Sequence, residues 1–383
     1  MKYLCLFLIM LSVSCRESES SPAPKITKKE KTAESIIIQP ISDEESAKTA
    51  EAYERSLEGK PLHPSLIDKL TSAKDIESFI RKLDTNYRKF DLKPIPEFDR
   101  RRGSDSIMKI VARNLGINKS FYKYDLDGNG FTDILAFGNK NTCIGISIDD
   151  NETYSCDYTC IAIMATKYGY TIQHINKRHY NDDIVPKIIA DHKTPLLKIY
   201  DYHRKIWQNE IIKDTSIVAL TYRNNTFIEY NPKPKDNQIK KIEYITSRCY
   251  GTCPVFQLTI NKGRPSYFIA KYFNFTNDMD NYTPDEEGFF KTAISAEKYN
   301  EIVDLLNYLD FKNLKESYTI MATDNPGCFL RITYGDGKVK QIGDYGMQGT
   351  FGLMKLYELL SDLRFNQEWK KTQEVKGIRI EER

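Results

Sequence analysis

The sequence lacks the features by which many enzymes and nucleic-acid-binding proteins are recognised. Its 56 basic and 53 acidic residues leave a net charge of only +3, which gives no reason to expect a nucleic-acid partner. The five histidines show no paired metal spacing, and neither a G-x-S-x-G elbow nor a phosphate-binding loop occurs. The apolar run at Tyr3–Val13 is too short to cross a bilayer, which takes about 20 residues. We therefore assign no catalytic residue.

The length and composition predict two folded units. A chain of 383 residues, 40% of them hydrophobic and 12% aromatic, is long enough to bury more than one core. Residues 65–230 (the first unit) and 239–370 (the second unit) combine short β-rich runs with amphipathic helices. We expect both to be α+β, with antiparallel sheets and helices packed on one face. Residues 231–238, with two prolines, are the predicted linker, and residues 371–383 are a charged tail.

Residues 1–14 have the layout of a signal peptide, with Lys2 as the positive start and Tyr3–Val13 as the apolar centre. The small residues before Cys15 resemble the lipobox of bacterial lipoproteins, although Ser12 stands where Leu is usual. That resemblance implies cleavage before Cys15, whose thiol then carries diacylglycerol, with palmitate as a further acyl chain. We expect a membrane-anchored protein of the cell envelope, at the outer membrane or on a periplasmic or surface face. The alternative is plain secretion with Cys15 as an ordinary thiol.

Residues 15–64 are predicted to form a flexible tether behind the lipidated cysteine. They are rich in Lys, Glu, Ser and Pro, and such a composition buries too little apolar surface to order itself. Ser42 and Glu45 make a capping-box pattern, so a polar helix is predicted to run to about Leu57 and to stop at Gly59. We expect its faces to be exposed.

One stretch, residues 124–135, has a spacing that demands a particular chemistry. Oxygen donors recur at every second residue, as a hard cation such as Ca²⁺ requires: Asp125, Asp127, Asn129, the backbone carbonyl of Phe131, and Asp133. Gly130 stands where the chain must bend sharply, which a residue without Cβ does at little cost. The alternative is a tight turn without metal, because Asp, Asn and Gly favour turns for their own reasons.

The loop resembles the Asp-rich hairpin loops of integrin-type propeller repeats, in which a ninth-position Asp closes the site. An EF-hand is excluded because Ala136 stands where its bidentate Glu would be, and because the flanks 120–124 and 134–137 are predicted strands. The motif occurs once, so a propeller is excluded as well. The resemblance implies calcium as the cofactor of the first unit, with an affinity on the order of 0.1 to 1 mM.

The second unit carries the run Cys-Tyr-Gly-Thr-Cys-Pro at residues 249–254, followed by an aromatic strand. This run resembles an uncharacterised family, a domain of unknown function found in bacterial lipoproteins and secreted proteins. The likeness continues through the predicted helix at Ser295–Leu309 to about Trp369. The resemblance implies no catalytic role for any residue.

Of the eight cysteines, Cys5 lies in the signal peptide and Cys15 is the lipidated one. An even number outside the cytosol favours disulfides, and the candidates are Cys143, Cys156, Cys160, Cys249, Cys253 and Cys328.

Cys249 is expected to pair with Cys253, and Cys156 or Cys160 with each other or with Cys143. Zinc and thiol-redox sites are alternatives, but the Cys-x₃-Cys spacing is one residue longer than either usually shows.

Two function classes remain open. The favoured one is a non-enzymatic envelope lipoprotein whose units bind an envelope protein or polymer, with calcium stabilising the first unit. The alternative is an envelope enzyme, thiol-redox or hydrolytic, with a site near Cys249 and Cys253.

Overall fold

The computed structural model describes residues 39–98, 105–140, 144–148, 151–155, 158–177, 184–192, 194–207, 210–263, 265–274, 287–320 and 322–373. The predicted signal peptide and Cys15, Cys143 and Cys156 lie outside these residues, so their assignments stay predictions. No helix in the described ranges has the length and apolar character needed to cross a membrane.

The elements confirm the α+β class. The helices are α1 (Asp43–Ser56), α2 (Leu66–Lys69), α3 (Ala73–Leu83), α4 (Asp105–Leu115), α5 (Ala296–Tyr308) and α6 (Phe351–Asp362), with 3-10 turns at Thr85–Tyr87, Ile95–Glu97 and Phe311–Asn313. The strands of the first unit are β1 (Asp91–Leu92), β2 (Phe121–Tyr124), β3 (Asp133–Asn139), β4 (Ile144–Ile148), β5 (Asn151–Ser155), β6 (Tyr158–Thr166), β7 (Gly169–His174), β8 (Ile184–Ile189), β9 (Leu196–Trp207), β10 (Glu210–Arg223) and β11 (Thr226–Glu229). The strands of the second unit are β12 (Ile239–Thr246), β13 (Val255–Asn261), β14 (Ser266–Tyr272), β15 (Gly288–Thr292), β16 (Ser317–Thr319), β17 (Gly327–Tyr334), β18 (Lys338–Tyr345) and β19 (Lys370–Lys371).

The first unit is built on an antiparallel sheet in the order β1-β3-β6-β7, with β2 also paired to β3. Every residue of β3 is buried, because apolar groups cover both faces of the sheet. Leu135 and Phe137 pack into one core with α4 and the second sheet, β8 to β11. Ile134 and Ala136 pack into another core with α3. The helices of this unit therefore lie on two faces of the sheet, where the sequence predicted one.

Helix α1 corrects the predicted tether. Ser42 caps it as expected, accepting from the Glu45 amide. Its buried residues, Ser46, Ala50 and Tyr53, recur every three or four positions and so form one face of the helix. Tyr53 enters the first core, and its hydroxyl accepts from the Ile188 amide at 2.9 Å. Residues 43–56 are thus a docked part of the first unit, and the expectation of exposed faces was wrong.

The second unit has one eight-stranded sheet in the order β16-β18-β17-β12-β13-β14-β15-β19, antiparallel except where β16 pairs with β18. Helices α5 and α6 cover one of its faces, as predicted for this unit. Leu305 and Leu306 of α5 and Leu356 of α6 share a core with Tyr244 and Phe268 of the sheet.

The two units meet at β11 and in the residues that follow it. Phe227 belongs to the first core and Ile228 to the second. The Glu229 carboxylate accepts from the amides of Phe351 and Gly352, at 2.7 and 2.8 Å, at the start of α6. The predicted linker is packed against α5 as well, since the Asn231 side chain donates to the Tyr308 carbonyl at 2.7 Å.

Candidate metal centre

The predicted cation loop joins the antiparallel strands β2 and β3, where Tyr124 and Asp133 are cross-strand partners. The structure brings three of the predicted donors together. One carboxylate oxygen from each of Asp125, Asp127 and Asp133 lies within 4.8 Å of the other two. Three carboxylates at this separation have a geometry that one divalent cation can bridge.

The first of these carboxylates organises the turn. One oxygen of Asp125 accepts from the amides of Gly128 and Asn129, at 2.8 and 3.0 Å. Its other oxygen accepts from the Gly130 amide at 2.8 Å. Gly128 and Gly130 adopt φ of +76° and +87°, a conformation that residues with a Cβ rarely take, which is why both positions suit glycine.

Strand β6 holds the closing side of the loop. Asp133 is fully buried, and its two oxygens accept from the amides of Leu126 and Ala165, each at 2.7 Å. The Asn129 side chain donates to the Ala165 carbonyl at 2.8 Å. Ala165 therefore ties two residues of the loop to the sheet core.

The other two predicted donors, Asn129 and the Phe131 carbonyl, belong to the same loop. The Asn129 side-chain oxygen accepts from the Phe131 amide at 2.8 Å, which adds a hydrogen bond within the turn. The Phe131 ring lies 5.0 Å from the His63 ring. The carboxylates of Asp125, Asp127 and Asp133 are gathered, while Asn129 and the Phe131 carbonyl stay predicted ligands.

Burial and mutual repulsion raise the proton affinity of two of the three carboxylates. Burial, with the Asp125 charge beside it, raises the pKa of Asp127 to about 6. Burial also raises the pKa of Asp133 to about 8, although the two amides that donate to this carboxylate lower it. Holding these acids close together is unfavourable without a neutralising charge, and a divalent cation would supply one.

A neighbouring segment that the sequence reasoning missed clamps the loop. The His63 amide donates to the Gly130 carbonyl at 2.9 Å, and the Thr132 hydroxyl donates to Asp68 at 2.6 Å. The Lys123 ammonium donates to the Ile67 carbonyl at 2.6 Å. The available signal was the capping box formed by Ser65 and Asp68, which starts α2.

Gly130→Ala is expected to destabilise the fold by about 1 to 3 kcal/mol, because the positive φ is strained for Ala. A methyl group would also lie 3.0 Å from the His63 ring and 3.1 Å from Leu62 Cβ. Gly128→Ala is the matched control, with φ of +76° and nothing within 4 Å of the added carbon. Urea unfolding of both variants separates the cost of the positive φ, which both share, from the cost of the close contact with His63 and Leu62. An equal loss for both would show that the contact with His63 and Leu62 contributes nothing.

The Cys249–Cys253 disulfide is confirmed, with a Cα–Cα distance of 5.7 Å. It closes the connection between β12 and β13, and no helix begins at Cys249 in the described range 210–263. The Tyr250 amide donates to the Asp324 carbonyl at 3.1 Å, which holds this loop against the next one.

The prediction that Cys160 pairs with Cys156 or Cys143 was wrong, as was the choice of Cys328 as a disulfide candidate, since both carry free, buried thiols. Cys160 lies in the first core on β6, and Cys328 lies in the second core on β17. Burial therefore keeps both thiols away from oxidants in the solvent. Burial raises the pKa of both thiols, which disfavours the reactive thiolate.

The buried Asp344 carboxylate, on the strand beside Cys328, has hydrogen-bond donors within the fold. The Tyr357 hydroxyl donates to Asp344 at 3.1 Å, and the same carboxylate accepts from the amides of Gln348 and Gly349. Burial raises the pKa of Asp344. This carboxylate shapes the turn before α6.

Residues 240–364 match the family described as a domain of unknown function, DUF6438. Comparisons with curated proteins and with solved structures gave no match to the chain. The matched range begins in β12, includes the disulfide loop, and ends just after α6. The family match therefore lies within the second unit and covers most of it.

Proposed function

We propose that this chain is a cell-envelope lipoprotein with a binding or structural role, whose first unit binds Ca²⁺ through Asp125, Asp127 and Asp133. The observation that carries the proposal is the convergence of these three carboxylates within 4.8 Å on a loop joining two strands. The oxygen spacing, similar to that of integrin-type repeat loops, supports the same reading.

The donor set favours calcium over the softer transition metals. Carboxylate oxygens suit hard cations, and neither a cysteine nor a histidine belongs to the described cluster. Ca²⁺ takes six to eight oxygens, so three carboxylates leave coordination positions for carbonyls, water or a ligand. Calcium would cross-link the loop to β3 and thereby stabilise the first unit.

Calorimetric titration of the full chain with Ca²⁺ and then with Mg²⁺ tests the site. We expect one calcium per chain and weaker binding of magnesium, which requires a more rigid octahedral geometry. Heat of dilution alone for both ions would reject the proposal.

Calcium affinity is expected to rise with pH between about 5 and 8. Burial raises the pKa of Asp127 to about 6 and of Asp133 to about 8, so below these values protons compete with the ion for the carboxylates. The metal-free fold has the opposite dependence: its acids bind protons more tightly than the unfolded chain does, so its stability falls as pH rises through the same window. Calorimetry and melting curves across that range check both signs, and a calcium affinity independent of pH would contradict this assignment.

The lipoprotein part of the proposal rests on residues 1–15. Mass spectrometry of the protein purified from membranes is expected to show a mature chain that begins at Cys15 and carries acyl groups. Cys15→Ser is expected to abolish that modification. An unmodified thiol at position 15 would leave plain secretion as the correct reading.

The thiol-redox alternative would place its site at Cys249 and Cys253. The described free thiols, Cys160 and Cys328, are buried, and burial raises the pKa of each. Alkylation of the native protein with iodoacetamide is expected to leave Cys249 and Cys253 unmodified; rapid labelling of either would favour the enzyme.

A further inference from the structure

Three large apolar side chains stand exposed around the cation loop, and we call them the apolar rim: Leu62, Leu66 and Tyr168. Their exposed fractions are 80%, 49% and 87%. They come from two segments: residues 62–66, which lead into α2, and the β6–β7 turn. Isolated exposed apolar residues are ordinary, but three around one loop call for a partner.

Contacts place Leu62, helix α2 and the end of β6 beside the loop. Leu62 lies against Gly130, since a Cβ built there would be 3.1 Å from Leu62 Cβ. Helix α2, which begins at Leu66, is held to the loop by the hydrogen bond that the Thr132 hydroxyl donates to Asp68 at 2.6 Å. Tyr168 follows the end of β6, three residues after the Ala165 backbone that binds Asp133 and Asn129.

A lysine accompanies each member of the rim. Lys60 and Lys167 are exposed and flank Leu62 and Tyr168 in the chain, and the Lys167 ammonium lies 4.7 Å from the centre of the Tyr168 ring. Lys69 is exposed one helical turn after Leu66, on the same side of α2. Apolar side chains interleaved with lysines suit a surface that is anionic outside and apolar beneath, as an anionic phospholipid bilayer is.

We propose that the apolar rim and its lysines dock the first unit onto an anionic phospholipid surface when calcium fills the loop. This inference rests on the calcium site proposed above. Without the ion, the half-buried carboxylates of Asp125 and Asp127 repel lipid phosphates. With it, the ion offsets the negative charge of the carboxylates, and its unfilled coordination positions become available to phosphate oxygens. Calcium thus acts as the switch, and the rim supplies the apolar contact.

The test uses the full chain carrying Tyr168→Trp, bound to vesicles of phosphatidylcholine with brominated phosphatidylglycerol. Bromine quenches a tryptophan that contacts the acyl region, so the readout reports docking of the rim even when a lipid anchor already holds the protein. We expect calcium-dependent quenching at position 168, and little with EGTA or with phosphatidylcholine alone. The unsubstituted chain gives the background from its own two tryptophans.

Tyr250→Trp is the matched control, because Tyr250 is 89% exposed but belongs to the disulfide loop of the second unit. No calcium-dependent quenching is expected there. Leu62→Ser in the Tyr168→Trp chain is expected to weaken docking on the order of tenfold, by the loss of one buried apolar side chain.

Calorimetry on the same samples separates the two proposals. Calcium binding without quenching at position 168 overturns the docking inference and leaves the calcium site standing. Quenching at position 168 that is equal in calcium and in EGTA overturns the calcium switch. Equal quenching at positions 168 and 250 overturns the claim that the apolar rim is the docking surface. Absence of calcium binding rejects the site itself.

Discussion

Asp127→Asn is expected to abolish the calcium-dependent rise in melting temperature while leaving the metal-free protein at least as stable. In the metal-free fold, burial and the neighbouring Asp125 charge disfavour the ionised Asp127 carboxylate, so a neutral isostere relieves repulsion. With calcium at about 100 times its dissociation constant, the unchanged chain gains about 2.7 kcal/mol. Removing a residue that only supports a metal ligand typically lowers metal affinity 10- to 100-fold, and losing a direct ligand should lower calcium affinity by more. Such a loss of affinity removes nearly all of the calcium-dependent gain in stability.

The control is Asp336→Asn, the same chemical change on the exposed turn between β17 and β18. It is expected to melt like the unchanged chain with and without calcium. A calcium response that survives Asp127→Asn would show that the ion binds elsewhere.

Glu229→Ala is expected to lower the free energy of unfolding by about 2 kcal/mol or more. The carboxylate accepts from the first two amides of α6, at 2.7 and 2.8 Å, where the positive end of the helix dipole adds to two charge-assisted hydrogen bonds. Removing the side chain leaves both amides without this acceptor, at the point where the two cores meet. Urea unfolding monitored by circular dichroism measures the loss.

Two comparisons make that experiment decisive. Glu229→Gln keeps one acceptor and should lose less than Glu229→Ala. Glu358→Ala, which removes an exposed partner of Lys355 on α6, should change stability by less than about 0.5 kcal/mol. If Glu229→Ala unfolds like Glu358→Ala, the carboxylate does not hold the units together.

Features set by local sequence were predicted well. Ser42 caps α1 as expected, because a capping hydrogen bond spans only three residues. The strands flanking the cation loop followed from aromatic and β-branched residues, and the Cys249–Cys253 pair joins neighbours in the chain.

Features set by tertiary contacts were not predicted. The burial of Tyr53 against the Ile188 amide joins positions 135 residues apart, so α1 was mistaken for part of a tether. The roles of Ala165 and His63 at the loop are backbone contacts, which carry no residue signature. The free thiols of Cys160 and Cys328 depend on which face of each strand is buried, which cysteine counting does not address.

Anomalous diffraction from crystals grown in calcium tests the central claim most directly. The account predicts one calcium peak bound by carboxylate oxygens of Asp125, Asp127 and Asp133 at about 2.3 to 2.6 Å. Carboxylates at these three positions turned into solvent around water, with no calcium peak among them, would contradict it.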